Sequence, residues 1–208
     1  MKVILEHIDK SFRDGKQERK ILSDFELTVE SGQFVMLIGP SGCGKSTLLS
    51  IIGGLLTPDS GKVWMNGVDY FSLSDKRRAE FRRNNIGYIF QEFFLVDDLS
   101  PIDNILLTGN DSVNAIEVLK KVGLEGREKS KISTLSGGEK QRLAIARALA
   151  MKCNLLLCDE PTGSLDEDNT IQIMKKLKQI SHDGTTVVMV THNRELLEYA
   201  DAVVDLRG

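Results

Sequence analysis

An α/β fold with a mostly parallel sheet, an antiparallel β-subdomain and an inserted α-helical subdomain is what this sequence of 208 residues predicts. Three observations carry that expectation. In the last third of the chain, short and wholly apolar segments alternate with helical patterns, the mark of strands covered on both faces. A glycine-rich loop lies between one such strand and a helix. The first seventy residues hold alternating segments joined by turn signals, the mark of antiparallel pairing.

In chain order, Val3 and Leu5, then Ile8, form a first alternating segment, and Asp14-Gly15 a turn. Ile21, Phe25, Leu27 and Val29 form a second, closed by Glu30-Ser31-Gly32. Residues 34–38 read as a short buried strand and 47–52 as a buried helix. After a turn cluster at 57–61, residues 62–65 and 68–70 flank Asn66-Gly67, a tight-hairpin signal. The antiparallel subdomain is therefore expected from residues 1–32 and 61–71. Residues 74–83 read as a helix carrying Lys76, Arg77, Arg78, Arg82 and Arg83, either a solvated face or one near anionic lipid head groups. A strand at 86–90 ends at Gln91. Ser100-Pro101 starts one helix and 112–122 forms another, so 92–135 is expected to be the helical subdomain. Helices at 139–149 and 169–180 then alternate with strands at 155–158, 185–190 and 202–206. The whole of 1–208 reads as a single domain.

Residues 39–47 are Gly39-Pro40-Ser41-Gly42-Cys43-Gly44-Lys45-Ser46-Thr47 and match G-x-x-x-x-G-K-[ST], the phosphate-binding loop. Strand before and helix after are the context that this motif requires. The glycines let backbone N–H groups wrap round phosphate oxygens, and the helix N-terminus adds partial positive charge. Lys45 is placed for the β- and γ-phosphates and the Ser46 hydroxyl for Mg2+. The fold class thereby narrows to a P-loop nucleotide-hydrolase core. Such a core needs a second apolar strand ending in acids, and 155–158 runs into Asp159-Glu160. Asp159 is expected to hold Mg2+ and Glu160 to orient or deprotonate the attacking water. Gln91 and His192 also follow strands directly. Ligands on parallel sheets sit at the strands' carboxyl ends, so one site can collect them all. The Gln91 amide both donates and accepts, which suits contact with metal and water together. His192 is placed to donate to the γ-phosphate.

Composition narrows the function classes. Apolar residues make up 41% and charged residues 27%, which predicts a packed core. A net charge of −3 and a sequence pI near 5.7 argue against a nucleic-acid partner. No apolar run approaches the roughly 18 residues that would cross a bilayer, and the N-terminus has no uninterrupted apolar region of a secretory signal. Cys43, Cys153 and Cys158 lack metal-ligand spacing and fit a reducing cytoplasm.

At Leu135-Ser136-Gly137-Gly138-Glu139-Lys140-Gln141-Arg142, taken with the phosphate loop and 155–160, the chain resembles the ATP-binding cassette family over essentially its whole length. The resemblance implies a RecA-like core, ATP and Mg2+ as ligands, and a second copy of the chain as partner. It implies that Ser136, Gly137, Gly138 and Gln141 meet ATP held by the opposite subunit. Ser164-Leu165-Asp166 matches the loop that crosses the dimer interface, Gln91 the family's glutamine loop and His192 its switch histidine. Phe12 sits where the family stacks an aromatic on adenine; its other reading is a buried sheet aromatic. Residues 85–91 and 159–166 resemble more closely a bacterial subgroup of lipoprotein-release, macrolide-export and cell-division ATPases. That implies a separate integral membrane permease, with this chain peripheral on the cytoplasmic face of the membrane. A regulatory clamp without transport and a soluble cassette ATPase remain rival classes. Phe93, Phe94 and Leu95 either pack inside the helical subdomain or line a groove for a helix of the membrane subunit.

Overall fold

In a computed structural model, the chain is described at every residue except 16, 110–112, 164 and 207–208. Its strands are β1 (Val3–Asp14), β2 (Gln17–Val29), β3 (Phe34–Ile38), β4 (Ser60–Met65), β5 (Val68–Asp69), β6 (Ile86–Ile89), β7 (Leu155–Asp159), β8 (Thr186–Val190) and β9 (Ala202–Asp205). Its α-helices are α1 (Lys45–Ile52), α2 (Asp75–Asn85), α3 (Pro101–Leu106), α4 (Ala115–Lys121), α5 (Gly137–Ala150) and α6 (Glu167–His182).

Two sheets result. One is antiparallel, in the order β2-β1-β4-β5; the other is parallel, in the order β6-β7-β8-β3-β9. The hairpin at Asn66-Gly67 has φ of 49° and 79° at its two central residues, the turn whose twist matches that of its strands. In β1 the alternation breaks at Ile8 because the register with β2 shifts between Leu5↔Leu27 and Ile8↔Phe25. His7 and Asp24 both take positive φ there, so a bulge moves the inward position onto Ile8, which is 0% exposed.

Every residue of β3 and β8 is buried, as expected for a parallel sheet covered on both sides. Strand residues alternate between two cores. Phe34, Met36, Leu156, Cys158 and Met189 pack with Leu143 of α5 and Met174 and Leu177 of α6. Val35, Leu37, Leu155, Leu157 and Val188 pack with Leu48 and Leu49 of α1 and with the inner face of the antiparallel sheet. The neighbours β6, β7, β8 and β3 all end at one edge, so four loop starts lie in a row there.

The segment 92–135 carries less helix than its sequence led us to expect. α3 holds six residues and α4 seven, and a 3-10 turn spans Ile132–Thr134. Within the stretch before α3 the chain is held by Asn104, which is fully buried. Its Oδ1 accepts from the Val96 amide at 2.9 Å, and its Nδ2 donates to the carbonyls of Val96 and Ser100, both at 3.1 Å. One carboxamide thus satisfies backbone groups of Val96 and adds a second bond to the Ser100 carbonyl, which also accepts from the Asn104 amide. The expected helix start at 112 lies outside the described residues; α4 begins at Ala115, capped by Asn114, whose side chain accepts from the Glu117 amide.

Candidate active site

The phosphate loop connects β3 to α1. Gly39, Gly42 and Gly44 have φ of 153°, 78° and 102°. A Cβ on Gly39 would lie 2.6 Å from the Cys43 Sγ, and one on Gly44 2.8 Å from Ile21 Cγ2. The loop can therefore be this tight only without side chains at those positions. Ser41 and Pro40 are exposed, and Thr47 and Cys43 half-buried. Lys45, at the first position of α1, is buried, and its Nζ donates to the carbonyls of Gly39 at 2.8 Å and Pro40 at 3.0 Å. The ammonium group thus spans the mouth of the loop.

The next residue links α1 to a second strand. Ser46 Oγ, in the first turn of α1, donates to Asp159 Oδ1 at the end of β7 at 3.1 Å. Burial raises the Asp159 carboxyl above its ordinary pKa; the charge of Glu160 adds to this, and the Ser46 hydrogen bond opposes it. Glu160 follows with φ of 47°, a left-handed conformation that an ordinary side chain adopts at a cost. Its amide donates to the Val190 carbonyl at 3.1 Å, pinning the kink to the end of β8. The kink turns the carboxylate toward His192, whose Nδ1 lies 3.0 Å from both carboxylate oxygens. The Glu160 side chain is 15% exposed and that of His192 71%. A cleft of about 440 Å³ opens beside this pair, walled by Thr162, Leu165, Thr191 and Tyr199.

Lys45, Ser46, Asp159, Glu160 and His192 are therefore gathered at one edge of the sheet. Gln91 is exposed two residues beyond the end of β6, whose Ile89 is paired with Cys158 of β7. Phe12 is 43% exposed on β1, which removes its reading as a buried sheet aromatic; Lys10 Nζ lies 5.6 Å from its ring centre. Ser136 and Gly137 are exposed at the start of α5, where Ser136 and Glu139 form a reciprocal cap. The hydrogen bonds of Ser136 stay within that turn, at 2.8 and 3.2 Å to Glu139. Gln141 is 1% exposed and points into the fold, so its side chain is not presented beside Ser136 and Gly137. Leu165 is half-buried and Asp166 caps α6; Ser164 lies outside the described residues. The 93–95 cluster divides: Leu95 packs on the core while Phe94 is 59% exposed.

Two features escaped sequence reasoning. Arg19, in the polar stretch after Asp14, donates through Nη2 to the Gly42 carbonyl at 3.3 Å, and no motif marks it. The left-handed kink at Glu160 likewise leaves no trace in composition, because nothing but the fold demands it.

A glycine loop closed over a lysine, beside a second strand ending in two acids, defines a P-loop ATPase. Residues 22–163 match the family model described as ABC transporter, and the chain belongs to that family. It is an ATPase of this type, converting ATP and water to ADP and phosphate. Over 208 residues it is 42% identical to the lipoprotein-releasing system ATP-binding protein LolD of Colwellia psychrerythraea, covering 96% of this chain and 81% of that protein. It is 39% identical over 208 residues to the macrolide export ATP-binding/permease protein MacB of Chlorobaculum tepidum, covering 97% of this chain and 32% of that protein. A dimeric, post-hydrolysis structure of the ATP-binding cassette MJ0796 bound to ADP and Pi has a TM-score of 0.89 and 35% identity, over 98% of this chain and 93% of that one.

Proposed function

We propose that two copies of this chain close face to face on two ATP molecules, and that closure and reopening drive a separate membrane permease for export or for lipoprotein or peptide handling. The pairing of Glu160 with His192, next to Ser46–Asp159 and Lys45, carries the catalytic half of this reading. Lys45 stabilises charge on the transferred phosphoryl group. Glu160 accepts a proton from the water that attacks the γ-phosphorus, as the bond to the leaving ADP oxygen breaks. His192 holds that carboxylate through Nδ1 and keeps its other nitrogen for the γ-phosphate. Phe12 stacks on adenine and Gln91 follows the site from the end of β6.

The Ser46 hydroxyl and the Asp159 carboxylate are hard oxygen donors 3.1 Å apart, which suits Mg2+, an ion that takes few protein ligands and keeps phosphate oxygens and water. Gln91 is a third candidate donor. When bound there, the ion neutralises phosphate charge.

The second copy is supported by Gly137. It is exposed, and a Cβ on it would meet nothing of its own chain within 4 Å. With Ser136 at a helix N-terminus, it offers an anion cradle to a ligand held elsewhere. Leu165 and Asp166, with Ser164, belong to the same interface. Among the described residues no helix is long and apolar enough to cross a membrane, in keeping with attachment at the cytoplasmic face through a permease. Exposed Phe94 beside Gln91 is the proposed contact for that partner.

Glu160→Gln tests the reading. The amide keeps shape and hydrogen bonding but is no base, so turnover should fall by about 10²–10⁴-fold. The variant should accumulate on size exclusion as an ATP-bound dimer while wild type stays largely monomeric. Wild-type turnover in this variant would move the catalytic role elsewhere.

A further inference from the structure

The first turn of α5 and the start of α6 meet at one side chain. Asn169 Oδ1 accepts from Arg142 Nη1 at 2.6 Å, and its Nδ2 donates to Asp166 Oδ2 at 2.7 Å. Its backbone amide donates to Asp166 Oδ1 at 2.8 Å. The carboxamide accepts from a cation and donates to a carboxylate within one group; an aspartate here would face Asp166 with like charge.

The carboxamide also explains a glycine. A Cβ on Gly138 would lie 2.7 Å from both Cγ and Oδ1 of Asn169, and no left-handed φ requires glycine there. Gly138 is buried and fitted to Asn169, whereas its neighbour Gly137 is open. One turn further along, a cleft of about 210 Å³ opens to solvent between Arg142 and Ile145 of α5, Gln172 and Ile173 of α6, and Lys121, Val122 and Gly123. At this end Asn169 joins the two helices by hydrogen bonds, beside the apolar packing of Ile145 and Ile173 in the core that they share.

Resting on the proposal that two copies face each other across ATP, we infer that Asn169 is a positioning residue for catalysis: it locks the exposed Ser136–Gly137 turn to Leu165 and Asp166, so that both are presented to the second copy as one surface.

The test uses Glu160→Gln as parent and measures ATP binding and ATP-driven dimerisation separately. Adding Asn169→Ala should leave ATP affinity of the monomer within about twofold, because the phosphate loop is untouched, and weaken dimerisation by roughly tenfold. Asn169→Asp should weaken it at least as much. Gly138→Ala should weaken it too, and the Gly138→Ala/Asn169→Ala pair should recover part of that loss, because the added methyl then has room. Dimerisation as tight as the parent's in Asn169→Ala, or a pair no better than Gly138→Ala alone, overturns the inference. If Asn169→Ala fails to fold, Asn169→Ser with the Gly138 comparison decides. A parent that never dimerises with ATP sinks the facing-copies reading instead, and this inference with it.

Discussion

Glu160 shows how a single residue is set up for its task at a cost in stability. A left-handed φ on a residue with a Cβ costs about 1 kcal/mol relative to glycine. Glu160→Gly should therefore be more stable than Glu160→Ala by roughly that amount in urea unfolding, with both inactive. Equal stability would mean that the kink relaxes once the carboxylate is gone. Phe12 makes the second prediction at this scale. If its exposed ring stacks on adenine, Phe12→Ala should weaken ATP by about 0.5–1.5 kcal/mol and leave inorganic triphosphate binding unchanged. Equal loss for both ligands in a binding titration would deny the stacking. Residue types were legible in the sequence where chemistry needs them at fixed spacing, as in Lys45-Ser46 and Asp159-Glu160. Burial was not: nothing in the motif distinguished Gln141, turned inward, from Ser136, left on the surface.

At the scale of elements, the bulge in β1 is held by a small network. Asp9 takes a Lys20 ammonium at 2.7 Å, the Ser60 hydroxyl at 2.8 Å and the Asp24 amide at 3.2 Å, tying β1 to β2 and β4. These bonds, led by that from Lys20, hold the Asp9 carboxyl down at about 2 from its ordinary 3.8. A depressed carboxyl pKa contributes stability that is present above 3.8 and lost as pH falls through about 2. Wild type should therefore exceed Asp9→Asn in stability above pH 4, and the difference should shrink as pH falls toward about 2 and be lost below it; a constant difference in urea melts across that range would refute the network. The strands were legible because β3, β7 and β8 are apolar at almost every position and Asn66-Gly67 fixes one hairpin. The stretch before α3 was not, because it is held by Asn104, a polar side chain whose burial only the folded chain decides.

For the whole molecule, the site gathered by β3, β7 and β8 lacks the Ser136–Gly137 turn, which sits on the surface at the start of α5. Mixing Lys45→Ala chains with Ser136→Arg chains separates the two possibilities. Each alone should be inactive, one by losing its phosphate ligand and the other by blocking the facing site. Together they should recover a fraction of wild-type turnover, from heterodimers that hold one intact site. Normal turnover by Ser136→Arg alone would show that each chain is complete by itself. The antiparallel pairing of one sheet and the mostly parallel character of the other could be anticipated from pattern and turn chemistry, whereas the proposed dependence on a second copy entered through resemblance.

α5 is anchored at its far end as well. Near its C-terminus Arg147, half-buried and with its pKa lowered by desolvation, donates to the carbonyls of Phe94 at 2.6 Å and Phe93 at 3.1 Å. Those carbonyls lie two and three residues after Gln91. Gly138 and Arg147 are separated by about 13 Å along a continuous helix, with Asn169 gripping one end and the 93–94 backbone the other. Fastened in this way, α5 joins the backbone just after Gln91 to the Ser136 turn through one unbroken helix.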